Sequence, residues 1–203
     1  MAGGALLTWA ILLGYAIGSI PSADIIARLR GHDLRASGTG NPGTANAPRV
    51  AGPTTAAVVL VIDMAKGAIA AMAGAGLGDT GGALAAGLAA IAGQVFNPWF
   101  GFRGGRGLGI AAGVTAVAWP PGVLVVLPIT ALGARFLRAP GGAILGLAAY
   151  SVGAVLWAAN DWPTWWGMPA DDLLVWLAIG VVALISPKFV GDLRGRSRPA
   201  ATG

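Results

Sequence analysis

The stretch from residue 37 to residue 49 combines closely spaced glycines with hydroxyl, amide and guanidinium groups. Its glycines are Gly38, Gly40 and Gly43, and its polar residues are Ser37, Thr39, Asn41, Thr44, Asn46 and Arg49. Glycines at this spacing let backbone N–H groups converge on an anion, and an arginine can bind a phosphate through two parallel hydrogen bonds. The same letters fit G-x-G-x-x-G, but a dinucleotide site needs a strand before the glycines, and here an apolar helical stretch precedes them. We predict an anion site, with a flexible turn between helices as the alternative.

A second stretch, 102–109, places two arginines among glycines immediately before an apolar segment. Its members are Phe102, Arg103, Gly104, Gly105, Arg106, Gly107, Leu108 and Gly109. Backbone amides at a helix N-terminus attract phosphate, and guanidinium groups strengthen that attraction. The alternative is a pair of arginines that snorkel to the membrane surface. Two such loops on one side of a membrane favour a shared anion site.

Asp63 and Lys66 lie three residues apart inside an apolar segment. Residues at this spacing share one face of a helix, and charges within a membrane helix usually face the interior of the bundle. We interpret them as a neutralised pair that supports the loops. The alternative is that one of the two charges reaches the substrate.

Several chemistries are excluded by composition. The chain has no cysteine and no glutamate, and His32 is its single histidine. A cysteine nucleophile, a cysteine metal site and a histidine-rich metal site are therefore impossible. The pattern His-x4-Asp of soluble acyltransferases also fails, because Ser37 stands where the aspartate would be. We predict no metal and no cofactor, and we interpret His32 as a solvated loop residue.

The chain is too apolar for a soluble domain. Hydrophobic residues make up 56% and charged residues 10% of it, with a mean hydropathy of +0.73, whereas soluble domains carry about 25% charged residues. A spanning helix needs about 20 apolar residues. We predict an all-α, polytopic membrane helix bundle of about seven transmembrane helices, one domain over 1–203 with a flexible basic tail at 193–203. The predicted spans are Ala5–Ala27, Pro53–Ala75, Gly82–Val95, Leu108–Trp119, Gly122–Ala134, Gly142–Ala159 and Asp172–Ser186.

The charges predict the orientation of these spans. With the N-terminus outside, the inner loops 28–52, 96–107, 135–141 and 187–203 hold every lysine and arginine except Lys66. The outer loops near 76–81, 120–121 and 160–171 hold no basic residue but carry Asp79, Asp161 and Asp171. This distribution follows the positive-inside rule and predicts a cytoplasmic C-terminus. The net charge of +5 then indicates attraction to anionic inner-leaflet lipids rather than to nucleic acid.

Both loops resemble motifs of the PlsY family, the acyl-phosphate:glycerol-3-phosphate acyltransferases of bacterial membranes. The first motif matches from Ser37 to Asn46 with Arg49, and the second from Gly93 to Gly107. The stretch Gly18–Ser22 and the Asp63, Lys66 and Gly67 set also match, so the resemblance covers about residues 14–113.

The chain also departs from the family pattern at four places. Arg103 and Arg106 replace two lysines, and Gln94 replaces a histidine. Ala139 and Pro140 stand where the family has a serine in the third inner loop, and the histidine and asparagine of its third motif are absent from 186–194.

The resemblance implies transfer of a fatty acyl group from acyl phosphate to glycerol 3-phosphate, which gives lysophosphatidate in the bacterial inner membrane. It implies catalytic roles for Ser37, Arg49 and Arg106, with Asp63 and Lys66 in support. The substrate-binding residues would be Gly38, Gly40, Asn41, Gly43, Asn46, Arg103, Gly104, Gly105 and Gly107. A phosphate:acyl-carrier-protein acyltransferase is a candidate partner.

Two other functions remain open at this point. The first is a catalytically weak PlsY-like paralogue that binds phosphorylated lipid precursors or partner proteins. The second is a small anion or lipid transporter, although such proteins are often built from paired repeats and no paired halves are visible in this sequence.

Overall fold

The computed structural model describes residues 2–34, 36 and 47–195, without the side chains of residues 2, 47–49, 138 and 192–195. All regular structure in this part of the chain is helical. The elements are α1 (Ala2–Ser19), α2 (Ser22–Leu29), α3 (Ala47–Val95), a 3₁₀ turn (Pro98–Phe100), α4 (Leu108–Ala118), α5 (Pro120–Ala159) and α6 (Asp172–Gly195).

Five helical stretches of the described residues are long and apolar enough to cross a membrane, and α4 is a shorter apolar helix. The long stretches are Gly3–Leu29, Val50–Phe100, Pro120–Leu137, Ala139–Ala159 and Asp172–Gly191. The all-α membrane bundle is therefore confirmed. The count of seven spans and the outside N-terminus stay predictions.

The long helix α3 is interrupted at Gly52 (φ 82°, ψ 167°) and then forms a hairpin of two antiparallel arms, 53–77 and 80–95. Gly78 (φ −163°, ψ 40°) and Asp79 (φ 49°, ψ −140°) leave helical geometry between the arms. A Cβ on Gly74 or on Gly82 would collide with the backbone of the other residue, although a continuous helix would separate them by about 12 Å. The predicted spans 53–75 and 82–95 therefore lie in separate arms.

Helix α5 folds back in the same way, into arms 120–137 and 139–159. A Cβ on Gly142 would collide with Ala134 and Thr130, and one on Gly146 would collide with the Thr130 side chain. In a straight helix Gly142 and Gly133 would be about 13 Å apart, yet a Cβ built on Gly133 lies 2.9 Å from the Cα of Gly142.

Small residues allow the arms to pack closely. The backbones of Gly14 and Gly18 on α1 contact Ala86 and Ala90 on the second arm of α3. In the same manner Gly67 contacts Ile110 of α4, and Gly113 contacts Met64 of the first arm. Close backbone approach through small residues is typical of membrane helix pairs.

The core runs through α3, α4, α5 and α6. Its largest buried side chains include Trp119, Ile91, Ile110, Leu177 and Ile185. At one end of the bundle, the 160–171 connection covers the end of α4, since Trp166 Nε1 donates to Ala116 O (3.1 Å) and Met168 N donates to Ala118 O (2.8 Å).

The first predicted span, Ala5–Ala27, lies within the apolar stretch Gly3–Leu29, which consists of two helices. The helix is interrupted at Ile20 and Pro21, because proline cannot donate the hydrogen bond that would continue α1, and α2 begins at Ser22. Of the predicted basic tail at 193–203, residues 193–195 are the last residues of α6, and the flexibility of the tail stays a prediction. Residues 196–203 lie outside the described part of the chain.

Candidate active site

Four polar side chains form a buried cluster in the bundle, between α2 and the two arms of α3. Ser22, Asp63, Lys66 and Gln94 are 4%, 1%, 5% and 6% exposed. Lys66 Nζ donates to Asp63 Oδ1 (3.0 Å), Ser22 Oγ (3.1 Å), Gln94 Oε1 (3.2 Å) and Ile20 O (2.8 Å). Ser22 Oγ donates to Asp63 Oδ1 (2.6 Å), and Gln94 Nε2 donates to Asp63 Oδ2 (3.3 Å).

This cluster confirms that Asp63 and Lys66 pair, and it explains why the pair survives burial. One positive and one negative charge neutralise each other, and each charged group also has neutral hydrogen-bond partners, as a buried ion pair requires. Gly109 of α4 makes room for the carboxylate, since a Cβ there would lie 2.8 Å from Asp63 Cβ.

The loop between α3 and α4, residues 96–107, is a hydrogen-bonded turn that returns to the end of α3. Asn97 Oδ1 accepts from Trp99 N (3.0 Å), and Asn97 Nδ2 donates to Ser19 O (2.8 Å). Phe102 N donates to Asn97 O (2.8 Å) and Gly104 N to Val95 O (3.0 Å). Asn97 is therefore a capping residue that also fixes the loop to α1.

Glycines are required at two points of this loop. A Cβ on Gly104 would collide with the carbonyl oxygen of Gln94. Gly107 caps α4 at φ +81°, a backbone conformation that favours glycine. Beyond it, the first amides of α4 have no acceptor within their own helix, so the sequence Gly104–Gly107 ends on N–H groups that an anion can use.

Arg106 is held toward the end of α6. Its side chain is half-buried, and its guanidinium carbon lies 5.2 Å from the centroid of the Phe189 ring. This cation–π contact orients a guanidinium beside the glycine loop, whereas Arg103 is exposed.

An apolar groove of about 220 Å³ begins where the loop ends. Its lining residues are Leu60, Met64, Leu108, Ala111, Ala112, Thr115, Gly122, Val123, Val126, Leu127, Thr130, Leu147, Tyr150, Val181 and Ile185. The Thr115 and Tyr150 hydroxyls lie 3.0 Å apart, and Thr115 Oγ1 also donates to Ala111 O (2.7 Å), so both hydroxyls have partners.

Most of the first predicted loop lies outside the described residues. This applies to Ser37, Gly38, Gly40, Asn41, Gly43 and Asn46, and for Arg49 only the backbone, in the first turn of α3, is described. The two ends of this loop do meet. Leu34 packs with Val59 and Ala27, and Val50 packs against the same cluster.

Two arginines of α2 and the turn after it bind neighbouring polar side chains. Arg30 Nη1 donates to Thr55 Oγ1 (2.9 Å), and Arg28 pairs with Asp24 (2.8 Å). His32 is exposed.

The structure therefore joins the second loop to the Asp63 and Lys66 pair. Three contributions were not assigned from the sequence: Ser22 and Gln94 in the cluster, and Phe189 under Arg106. A polar serine after a proline inside an apolar span was a usable signal for Ser22. Nothing local in the sequence connects Phe189 with residue 106.

Comparisons with known proteins agree on one family. A family model described as glycerol-3-phosphate acyltransferase matches residues 8–192. A glycerol-3-phosphate acyltransferase of Brucella suis is 42% identical over 137 residues, 65% of this chain and 67% of that protein. One of Synechococcus sp. is 36% identical over 177 residues, 86% of this chain and 83% of that protein.

Solved structures resemble the whole fold. The crystal structure of PlsY (YgiH), an integral membrane glycerol 3-phosphate acyltransferase, in its glycerol 3-phosphate form has a TM-score of 0.77 and 27% identity, and the match covers 97% of this chain and 96% of that one. The lysophosphatidic acid form of the same protein also supports the fold. It has 24% identity and a TM-score of 0.73, and the match covers 97% of this chain and 96% of that one.

Proposed function

Since this chain belongs to the glycerol-3-phosphate acyltransferase family, we propose how its residues carry out acyl transfer in the membrane. The acceptor is glycerol 3-phosphate, and the donor in this proposal is acyl phosphate. The products are lysophosphatidate and inorganic phosphate.

One observation carries the proposal: the glycine and arginine loop opens directly into the apolar groove. Gly107 ends the loop, and Leu108, the next residue, already lines the groove. A phosphate on the loop and an alkyl chain in the groove would therefore be held side by side. An acyl phosphate and a lysophosphatidate both combine these two parts.

In the proposed site, the loop of Gly104, Gly105, Arg106 and Gly107 binds the phosphate of glycerol 3-phosphate through Arg106 and the amides after Gly104, since Gly104 N donates to Val95 O. Arg103 lies at the exposed entrance. Backbone amides and a guanidinium oriented before the substrate arrives need no reorganisation during reaction. Asp63 and Lys66 support the loop from within. Ser37 and Arg49, assigned by resemblance, would act on the acyl phosphate, together with Gly38, Gly40, Asn41, Gly43 and Asn46.

The reaction needs no covalent enzyme intermediate, because the acyl group is already activated. The 1-hydroxyl oxygen of glycerol 3-phosphate attacks the acyl carbonyl carbon, and the bond from that carbon to the phosphate oxygen breaks. The phosphate leaves with the electron pair and takes up the hydroxyl proton. Guanidinium groups stabilise the charge that builds up on the leaving phosphate.

The basic loops would place the site at the cytoplasmic face of a bacterial inner membrane, next to anionic lipids. A phosphate:acyl-carrier-protein acyltransferase is the proposed source of acyl phosphate, since a reaction of that class generates this donor.

Purified protein supplied with palmitoyl phosphate and glycerol 3-phosphate tests the proposal. We expect lysophosphatidate and phosphate to appear in equal amounts. Arg106→Ala is expected to lower the rate by about 100-fold, the typical effect of removing one preorganised donor, and Arg49→Ala to abolish transfer while the protein still inserts. Arg135→Ala removes an exposed arginine near the end of the first arm of α5 and is the matched control. A wild type that binds glycerol 3-phosphate without turnover would favour the weak paralogue.

A further inference from the structure

The buried cluster of Ser22, Asp63, Lys66 and Gln94 touches both ends of the proposed phosphate loop. At the entry, the backbone oxygen of Gln94 packs against Gly104 so closely that no side chain fits there. At the exit, Asp63 packs against Gly109 in the first turn of α4. Two members of the cluster, Gln94 and Asp63, therefore also contact the chain at Gly104 and at Gly109, on either side of Arg106.

We propose that Gln94 and Ser22 are positioning residues, which act through Lys66 and Asp63 to fix the spacing of the loop amides that bind glycerol 3-phosphate. This inference rests on the proposed function for the identity of the ligand. It goes beyond that function by assigning roles to two neutral residues that do not contact the substrate.

Gln94 connects the two charges of the cluster. Its amide oxygen accepts from Lys66 Nζ (3.2 Å), and its amide nitrogen donates to Asp63 Oδ2 (3.3 Å). An amide can do both at once, because it carries an acceptor and a donor on neighbouring atoms. Gln94 thus holds the last turns of the second arm of α3 to the first arm, just before the loop begins.

Ser22 makes the corresponding connection to α2. Its hydroxyl donates to Asp63 and accepts from Lys66. Lys66 also donates to the Ile20 carbonyl at the break (2.8 Å), which accepts from Ser22 N as well (2.9 Å). The cluster therefore fixes three chain segments relative to one another: the break between α1 and α2, the first arm of α3, and the second arm that leads into the loop.

The neutral members are suited to position rather than to react. They are buried and hydrogen-bonded to charged partners, and such bonds contribute more than neutral ones. Without them the second arm of α3 can shift relative to the first, and Gly104 moves with the Gln94 backbone that it contacts. Glycerol 3-phosphate binding then weakens, whereas the acyl groove, which is lined from the first arm of α3, α4, α5 and α6, is preserved.

The test compares Gln94→Leu, Gln94→His and Ser22→Ala with wild type in steady-state kinetics. Leucine removes both hydrogen bonds at similar size, whereas neutral histidine keeps one donor and one acceptor. We expect Gln94→Leu to raise KM for glycerol 3-phosphate about tenfold, with kcat and KM for acyl phosphate within about twofold of wild type. Ser22→Ala should shift the same KM by less, and Gln94→His should restore most of it.

Ser151→Ala is the matched control, because the Ser151 hydroxyl donates to Leu147 O of its own helix (3.1 Å). If Gln94 only stabilises the fold, the apparent kcat of Gln94→Leu falls in proportion to the fraction of protein that is unfolded, and both KM values stay unchanged. That result, or an equal rise of both KM values, overturns the inference. If Gln94→Leu cannot be purified, Ser22→Ala decides by the same criteria.

Calorimetric binding of glycerol 3-phosphate separates this inference from the proposed function. In one outcome, the wild type binds glycerol 3-phosphate without turnover, with an affinity that falls about tenfold in Gln94→Leu. That result supports the positioning role and rejects the transfer reaction. A wild type that neither binds nor turns over rejects both.

Discussion

Arg106 and Phe189 join two elements that are far apart in the sequence, since the guanidinium of the loop residue lies over a ring near the end of α6. Phe189 is almost fully buried, so its ring offers a fixed surface. The last helix thereby contributes to the orientation of the proposed phosphate-binding arginine.

Phe189→Leu is expected to leave the protein folded and to raise KM for glycerol 3-phosphate about threefold to fivefold, because a partly buried cation–π contact contributes about 1 kcal/mol. Steady-state kinetics measure the change. Phe136→Leu, at an exposed position on α5, is the control and should behave as wild type. An unchanged KM in Phe189→Leu would show that Arg106 is oriented by other contacts.

Gly107→Ala is expected to destabilise the protein by about 1–2 kcal/mol and to reduce activity, since alanine is strained at positive φ. The new Cβ would also lie 3.1 Å from Val95 Cγ2. Thermal unfolding in detergent measures the loss. Gly76→Ala is the control, because no atom lies within 4 Å of its added Cβ, and it should be neutral or slightly stabilising. Equal stability of the two variants contradicts the strain argument.

Ala112→Phe is expected to lower kcat/KM for a sixteen-carbon acyl phosphate more than for an eight-carbon one. Ala112 lines the apolar groove, and a larger ring there removes the volume that a long chain would occupy. Assays with both donors measure the ratio. Ile11→Phe, at an exposed position of α1, is the control. The same loss for both chain lengths would mean that the groove does not hold the acyl chain.

Lys66→Met is expected to destabilise the protein by about 3–5 kcal/mol, because it leaves Asp63 buried without its charged partner. The double variant Lys66→Met with Asp63→Leu removes both charges and should recover much of this stability. Thermal unfolding of the two variants measures the difference. If the double variant is no more stable than the single one, the cost lies in packing rather than in the unpaired charge.

The sequence was sufficient for the class of fold because the membrane imposes it. Apolar segments such as Gly142–Ala159 had to be helices, since a backbone in lipid must satisfy its own hydrogen bonds. Asp63 and Lys66 were predictable as a pair from helical spacing alone. Gly104 and Gly107 were predicted as parts of a phosphate-binding loop, and that role stays a prediction. The close contact of Gly104 with Gln94 O and the positive φ of Gly107 are seen only in the structure.

The remaining features depend on tertiary contacts that no local pattern encodes. Pro21 is visible in the sequence, but the hydrogen bond from Lys66 to the Ile20 carbonyl at this break depends on which helix lies beside it. Gln94 was compatible with ordinary capping until its neighbours Asp63 and Lys66 were placed. The contact of Arg106 with Phe189 depends on where the last helix ends.

The groove described above is open along its side. Leu60 and Leu127 line it and remain 43% and 52% exposed, and in a bilayer such surfaces face hydrocarbon. An amphiphile can therefore enter and leave by sideways diffusion within one leaflet, without passing through water. Turnover would then follow the mole fraction of donor in the lipid surface rather than its bulk concentration. The newly made single-chain lipid would be released directly into the same leaflet.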